Sequence, residues 1–256
     1  MIKSRSLLAK LAKRFPKSIA KKYGDTVGLM CGDLPQTTQK IVLCLDMDDT
    51  ILDRVLSEKP DLIITHHPFI YKSRAKVFKS DPKRKALVEA LEAKGMCVLS
   101  YHTNFDEGQG GMNDALAEAL KLFDIHPLIG DPMARAGVLA EPMPVKTFAK
   151  YAKKLLNVDY GLLIAKGKPV ISSVAIVGGG GSRTYSIAQA ENIDLFISGD
   201  IPHHVRRGVV VDGYNYLDLP HEIERIFIPT MKKRLLEIDP GLNIVTIDHE
   251  ELPEVI

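Results

Sequence analysis

"KIVLCLDMDDTILDRVLSEKPDLIITHHP", residues 40–68, decides the fold class. "KIVLCLD" (40–46) is a nearly unbroken apolar run of strand length, and "DLIITHHP" (61–68) is a second, closed by Pro68. Between them "DDTILDRVLSEK" (48–59) has the spacing of a helix, with Asp48 or Asp49 available as its cap. Strands joined through a helix are parallel, and parallel strands covered on both faces read as continuous apolar runs rather than alternating ones.

The same rhythm extends in both directions. "SLLAKLAKRF" (6–15) is helical and ends at Pro16, and "PKRKALVEALEAKG" (82–95) is an amphipathic helix ending at Gly95. "MCVLSYH" (96–102) is a third strand and "GMNDALAEALKLF" (111–123) a third helix. A second cycle begins after about residue 125. It runs through a strand and helix in 130–156, a strand entering a glycine turn in "VISSVAIVGGGG" (170–181), "LFISGD" (195–200) and "VVVDGYNYLDLPH" (209–221). A helix in 224–239 and the strand "NIVTID" (243–248) complete it. The expectation is an α/β protein of two lobes, the first 1–125 plus about 240–256 and the second about 126–239. No sequence repeat is visible.

Composition narrows the class. Apolar residues are 45% of the 256 and charged residues 26%, as in ordinary globular proteins. The 34 basic and 32 acidic residues nearly cancel, so net charge gives no argument for a nucleic-acid surface; the basic run 72–85 reads as a solvated face. Cys31, Cys44 and Cys97 are odd in number and lack C-x-x-C spacing, which argues for a reducing, cytoplasmic setting. No apolar run reaches membrane-spanning length.

The histidines carry the functional signal, because most sit at expected strand ends. His66 and His67 close one strand, and His102 closes another with Asp106 four residues on. His203 and His204 follow "LFISGD", and His221 closes "YNYLDLPH" ahead of Glu222 and Glu224. Ligands of open α/β sheets bind at the carboxyl ends of strands. Neighbouring side chains on an extended backbone diverge, so His66 and His67 suit two ions better than one. Imidazole with carboxylate suits zinc, iron, manganese, nickel or cobalt.

A different signature overlaps this one. "LDMDDT" (45–50) matches D-x-D-x-T of haloacid dehalogenase-like phosphatases, which would make Asp46 a nucleophile and Asp48 an acid/base. Ser100 or Thr103 would then bind phosphate, and Asp200 magnesium. It leaves the histidine pair without a role.

"GDTVGLMCGD" (24–33), "DLIITHHPFIY" (61–71), "HTNFDEGQGGMNDALAEAL" (102–120), "AIVGGGGS" (175–182) and "FISGDIPHH" (196–204) together resemble the Nif-three-like dinuclear metal-centre family, the GTP cyclohydrolase I type 2 homologues. The match runs nearly end to end at the length of the short form without an inserted domain. The resemblance implies two similar α/β lobes facing each other across a metal-binding cleft. It implies two divalent ions per chain on His66, His67, Asp106, His221 and a glutamate, and assembly into a toroidal homohexamer. Thr26 stands where the family usually has Asn. The His–Glu spacing also departs, since "HEIER" offers Glu222 at one and Glu224 at three where the family has four; Glu224 is the better match. The implied activity is a metal-dependent hydrolase in which a bridging hydroxide attacks a nucleotide or phosphoester, with His204 and His102 moving protons or orienting phosphate. A metal-binding regulatory or scaffold protein without turnover satisfies the same motifs.

Overall fold

The computed structural model describes Met1–Ile256 and divides into two compact units. Met1–Gly111 with Phe227–Glu250 form the first, and Met112–Ile226 with Glu251–Ile256 the second. Both are α/β, and no third unit interrupts them.

The first unit is built on a five-stranded sheet. Asn243–Thr246, Lys40–Cys44, Leu62–Thr65 and Val98–Ser100 run parallel in that order, and Gly28–Cys31 adds an antiparallel edge. The residues of Leu62–Thr65 are all buried, as a central parallel strand requires. Val42, Cys44, Ile63, Val88, Leu91 and Val98 belong to one core cluster beneath the sheet's helices. The helix Pro82–Ala93 is specified locally: Asp81 accepts from the Arg84 amide, Pro82 starts the first turn, and Gly95 at φ +66° ends it. The stretch 48–59 begins its helix later than the sequence suggests, at Leu52. Asp48 Oδ1 instead accepts from Thr50 N and Thr50 Oγ1, at 2.8 and 2.5 Å, closing a turn. That local hydrogen bonding competes with helix initiation.

The second unit has a six-stranded sheet ordered Phe123–Pro127, Arg135–Pro144, Val170–Ile176, Leu195–Ser198, Asn215–Asp218 and Leu162–Ala165. Its middle three strands are parallel, flanked by antiparallel neighbours. Ala175, Phe196, Val209 and Tyr216 lie in its core.

The unit boundaries fall at 111 and 226 rather than near 125 and 239. The helix Met112–Ala119 belongs to the second unit because Asn113 is fastened there: its Oδ1 accepts from Gly178 N at 2.8 Å and its Nδ2 donates to Met133 O at 2.9 Å. The helix Phe227–Ile238 belongs to the first. Phe227 packs its ring against Phe105 and His66, and Arg234 Nε donates to Gly110 O at 2.8 Å. The three cysteines are free and buried, and burial pushes the Cys31 and Cys97 thiols up to about 12 and 11, so they are inert at neutral pH. No helix is long and apolar enough to cross a membrane.

Candidate metal centre

In the first unit three adjacent parallel strands deliver polar groups to one edge of the sheet. Asp46 follows Lys40–Cys44, His66 and His67 follow Leu62–Thr65, and His102 follows Val98–Ser100. The ring centroids of His66 and His67 are 4.8 Å apart, those of His66 and His102 5.1 Å, and those of His67 and His102 5.6 Å. One nitrogen from each of the three lies within 4.8 Å of the others, a spacing able to hold a metal ion.

Each ring is oriented by an oxygen on Nδ1. His66 Nδ1 donates to the Tyr101 carbonyl at 2.8 Å, which puts the lone pair on Nε2, because a carbonyl can only accept. His67 Nδ1 meets Asp46 Oδ2 at 2.8 Å, and His102 Nδ1 meets Asp25 Oδ2 at 2.8 Å. Burial alone would raise the Asp25 carboxyl, but hydrogen bonds from His102 and Thr103, with the His102 charge, bring it down to about 2. Asp106, on the short helix Thr103–Glu107, is buried, and its Oδ1 faces His66 Nε2 at 3.6 Å. Two ligand bonds of about 2.0–2.2 Å span that separation at an open angle. This donor chemistry fits a divalent ion.

The second unit repeats the arrangement with different residues. Asp200 follows the strand Leu195–Ser198 and adopts a left-handed conformation at φ +54°. His221 follows Asn215–Asp218, and its Nδ1 meets Asp200 Oδ2 at 2.5 Å. His221 Nε2 lies 3.1 Å from Glu224 Oε2. The Glu224 carboxylate, more than burial can oppose, holds the His221 imidazolium up to about 9, with Asp200 adding to it.

The backbone settles which glutamate faces the histidine. Residues His221–Ile226 form a 3₁₀ helix, in which side chains three apart eclipse. Glu224 is therefore over His221 and buried, while Glu222 is turned away and half-exposed.

The glycine run is a turn fitted around this pair. Gly179, at φ +60°, has a carbonyl that accepts from Gly181 N and Gly199 N at 3.0 and 2.7 Å. A Cβ at 179 would come within 2.3 Å of Glu224 Oε1. A carboxylate so close makes this loop unsuited to cradle an anion, although it follows a strand and precedes a helix.

Of the residues expected at the site, His66, His67, His102 and Asp106 come together in the first unit, and His221 with Glu224 in the second. His204 is exposed on the first turn of the helix His203–Val211, and it is Asp200 that meets the His221 ring at Nδ1. The phosphatase constellation is not assembled. Ser100 is fully buried with its hydroxyl on Thr65 Oγ1, Thr103 Oγ1 donates to Asp25, Asp48 closes a turn, and Asp46 serves His67. Sequence reasoning gave no metal-site role to Asp25, and gave Asp200 one only as a magnesium ligand in the phosphatase reading, although both lie inside the quoted motifs, at "GDTVGL" and "SGD".

Comparison with known proteins finds relatives along nearly the whole chain. A relative from Lactococcus lactis is 29% identical over 238 residues, covering 90% of each chain, and one from Methanocaldococcus jannaschii is 28% identical over 251 residues, covering 96% of this chain and 100% of the relative. Both are named GTP cyclohydrolase 1 type 2 homolog. The crystal structure of a Bacillus cereus protein related to NIF3 superposes with a TM-score of 0.87 at 19% identity, covering 99% of this chain and 98% of that one. At that identity the likeness speaks for the fold. The model of the Duf34/NIF3 (NGG1p interacting factor 3) family matches residues 2–253, and the chain belongs to that family.

Proposed function

We propose that this protein is a metal-dependent hydrolase that holds two divalent transition-metal ions on His66, His67, Asp106, His221 and Glu224 and acts on a nucleotide or another phosphoester. The observation that carries this reading is the common orientation of four imidazoles. His66, His67, His102 and His221 each turn Nδ1 to a fixed oxygen. The exposed His126 also turns Nδ1 to an oxygen, so the orientation supports a metal site where the rings also converge, as those of His66, His67 and His102 do. A metal-ligating histidine needs that orientation, because the oxygen fixes the tautomer and raises the basicity of Nε2. The mixture of imidazole and carboxylate suits zinc, iron, manganese, nickel or cobalt.

Bound divalent ions supply Lewis acidity, polarising the electrophile and bringing the ionisation of water towards neutral pH. The chain's own groups orient and exchange protons. Asp46 and Asp200 hold the rings of His67 and His221, and Asp25 holds that of His102. His102 lies in the same ring cluster as His66 and His67, which supports assigning it to carry a proton or orient a phosphate oxygen. The relatives' name, GTP cyclohydrolase 1 type 2 homolog, supports a purine nucleotide as substrate. We further propose, from the resemblance and the cysteine usage read in the sequence, assembly as a homohexamer and residence in the cytoplasm.

The assignment is tested by elemental analysis of protein purified without chelators. The wild type is expected to carry close to two ions per chain, and the His67→Ala/Asp106→Ala double variant to lose them. A fully loaded double variant refutes the site. Turnover is tested by offering the metal-replete protein GTP, phosphodiesters and short oligonucleotides; silence with all three refutes catalysis and leaves a metal-binding scaffold.

A further inference from the structure

The segment after the double histidine carries charge that the proposed chemistry does not use. Residues 72–85, "KSRAKVFKSDPKRK", hold seven basic side chains against the single acid Asp81, in a chain whose formal charge is only +2. They form the helix Arg74–Ser80 and the start of Pro82–Ala93, both in the first unit. Val77, Leu87, Val88 and Leu91 are the buried positions of these helices, which leaves Lys72, Lys76, Lys79 and Lys83 exposed.

The cations divide into two sets. Arg74 makes a two-pronged pair with Glu92 at 2.8 and 2.5 Å, Arg84 pairs with Asp81 at 3.4 Å, and Lys85 with Glu89 at 3.7 Å. Lys72, Lys76, Lys79 and Lys83 have no carboxylate partner among the ion pairs of this unit. Beside them stands Tyr71, which is 46% exposed. Lys72 Nζ lies 5.5 Å and Arg84 Cζ 5.3 Å from the centroid of its ring.

An exposed aromatic ring attended by two cations is a stacking platform for a base, and neighbouring lysines match the phosphates of the same strand. Stacking on a side chain needs an unpaired base, which favours a single strand over a duplex. A membrane surface would call for several exposed apolar side chains beside the lysines, and the segment offers Tyr71 alone. Lysines on flexible stems contact phosphate without reading sequence.

We propose that Tyr71, Lys72, Lys76, Lys79 and Lys83 form a binding surface for single-stranded nucleic acid, held through backbone phosphates and base stacking without sequence preference. Tyr71 lies four residues beyond His67 in the chain. The surface is independent of whether the metal site turns over a substrate, and its test reads binding alone.

Fluorescence anisotropy of a labelled twelve-residue oligo-dT, titrated with the metal-replete full chain at several salt concentrations, is the experiment. Four phosphate contacts predict a slope of log K against log salt of about −2.8, from roughly −0.7 per contact on a single strand. Replacing all four lysines with Ala should flatten the slope towards zero. Tyr71→Ala should weaken binding about 5- to 150-fold, the range of one base–aromatic stack, and Tyr71→Phe should retain it. These side chains are exposed, so the variants keep the fold, and a metal content equal to wild type verifies it. Three results overturn the proposal: no binding of oligo-dT, a slope unchanged in the quadruple variant, or a duplex of equal length bound as tightly as the single strand. Vesicles containing phosphatidylserine bound in preference to oligo-dT would also overturn it and assign the patch to membranes.

Discussion

Asp25 is the carboxylate whose loss the first unit should register most clearly. Its Oδ2 accepts from His102 Nδ1 at 2.8 Å, Thr103 Oγ1 at 2.6 Å and Thr103 N at 3.4 Å, and its Oδ1 accepts from Thr26 N at 2.7 Å. The side chain is 13% exposed, so solvent screens these contacts weakly. Burial pulls its pKa up, the hydrogen bonds and the His102 charge pull harder the other way, and the outcome is about 2 against an ordinary 3.8. At about 1.4 kcal/mol per unit, the ionised carboxylate contributes roughly 2 kcal/mol to folding at neutral pH. A depressed carboxyl gives its stabilisation in full above its unfolded pKa, and loses it as pH falls from about 3.8 towards 2. Asp25→Asn preserves the shape but removes the charge opposite His102. It should therefore lower stability at pH 7 by roughly 2 kcal/mol, or about 4–8 °C in Tm for a chain of this size. Urea midpoints of metal-free wild type and variant, compared from pH 7 to 3, provide the assay. The gap should hold down to about pH 4 and narrow below it. A gap that stays constant through pH 3, or one already absent at pH 7, refutes the electrostatic account of this contact.

The remaining predictions concern the second unit. Glu224→Gln should reduce the bound metal while Glu222→Gln leaves it unchanged, by elemental analysis; equal losses would mean that the 3₁₀ register does not choose the ligand. His221 is held up to about 9, chiefly by Glu224 and then Asp200, so its imidazolium favours the folded metal-free state below about pH 6.5 and that contribution fades as pH rises through 9. Metal must displace this proton, and calorimetric titration at pH 7.5 in buffers of different ionisation enthalpy should show its release; His221→Gln should release one proton fewer, and an unchanged count contradicts the assignment. Gly179→Ala should cost about 1–2 kcal/mol for its positive φ and, by pushing Glu224 aside, lower metal affinity as well; a stability loss with wild-type metal affinity would separate the turn from the ligand.

What sequence could reveal divides along a physical line. The apolar runs at 40–46, 61–65 and 96–100 announce buried parallel strands because burial on both faces leaves no polar positions. The histidines at their ends are visible as soon as the strands are. Pairings across the chain are not visible, because a hydrogen bond between Asp25 and His102 joins residues 77 apart and follows from tertiary packing alone. The same holds for the helix Met112–Ala119, whose pattern is helical in either unit and whose membership rests on Asn113 reaching Gly178 and Met133. The 3₁₀ winding at His221 is likewise invisible from spacing, since "HEIER" permits either glutamate until the backbone selects one.

Asp46 gains its meaning from a comparison within the chain. Asp46 stands two residues beyond the strand Lys40–Cys44, and His67 stands two beyond its parallel neighbour Leu62–Thr65, with Leu52–Glu58 as the helix between. In the second unit Asp200 stands two beyond Leu195–Ser198, and His221 three beyond its parallel neighbour Asn215–Asp218, with His203–Val211 between. Both pairs are separated by 21 residues, and both place a carboxylate on the Nδ1 of the histidine. One strand–helix–strand device thus appears in each unit, although no sequence repeat betrays it. The device constrains only the lengths of its elements and the two polar residues at the strand ends; the apolar residues between them are interchangeable, so the two copies share little sequence. A nucleophilic role for Asp46 would require a free carboxylate, and the magnesium role that goes with it for Asp200 would not account for the His221 ring held on that carboxylate. Orienting the neighbouring histidine accounts for both acids by the same geometry, and it makes the D-x-D-x-T match in 46–50 a by-product of a strand end followed by a turn.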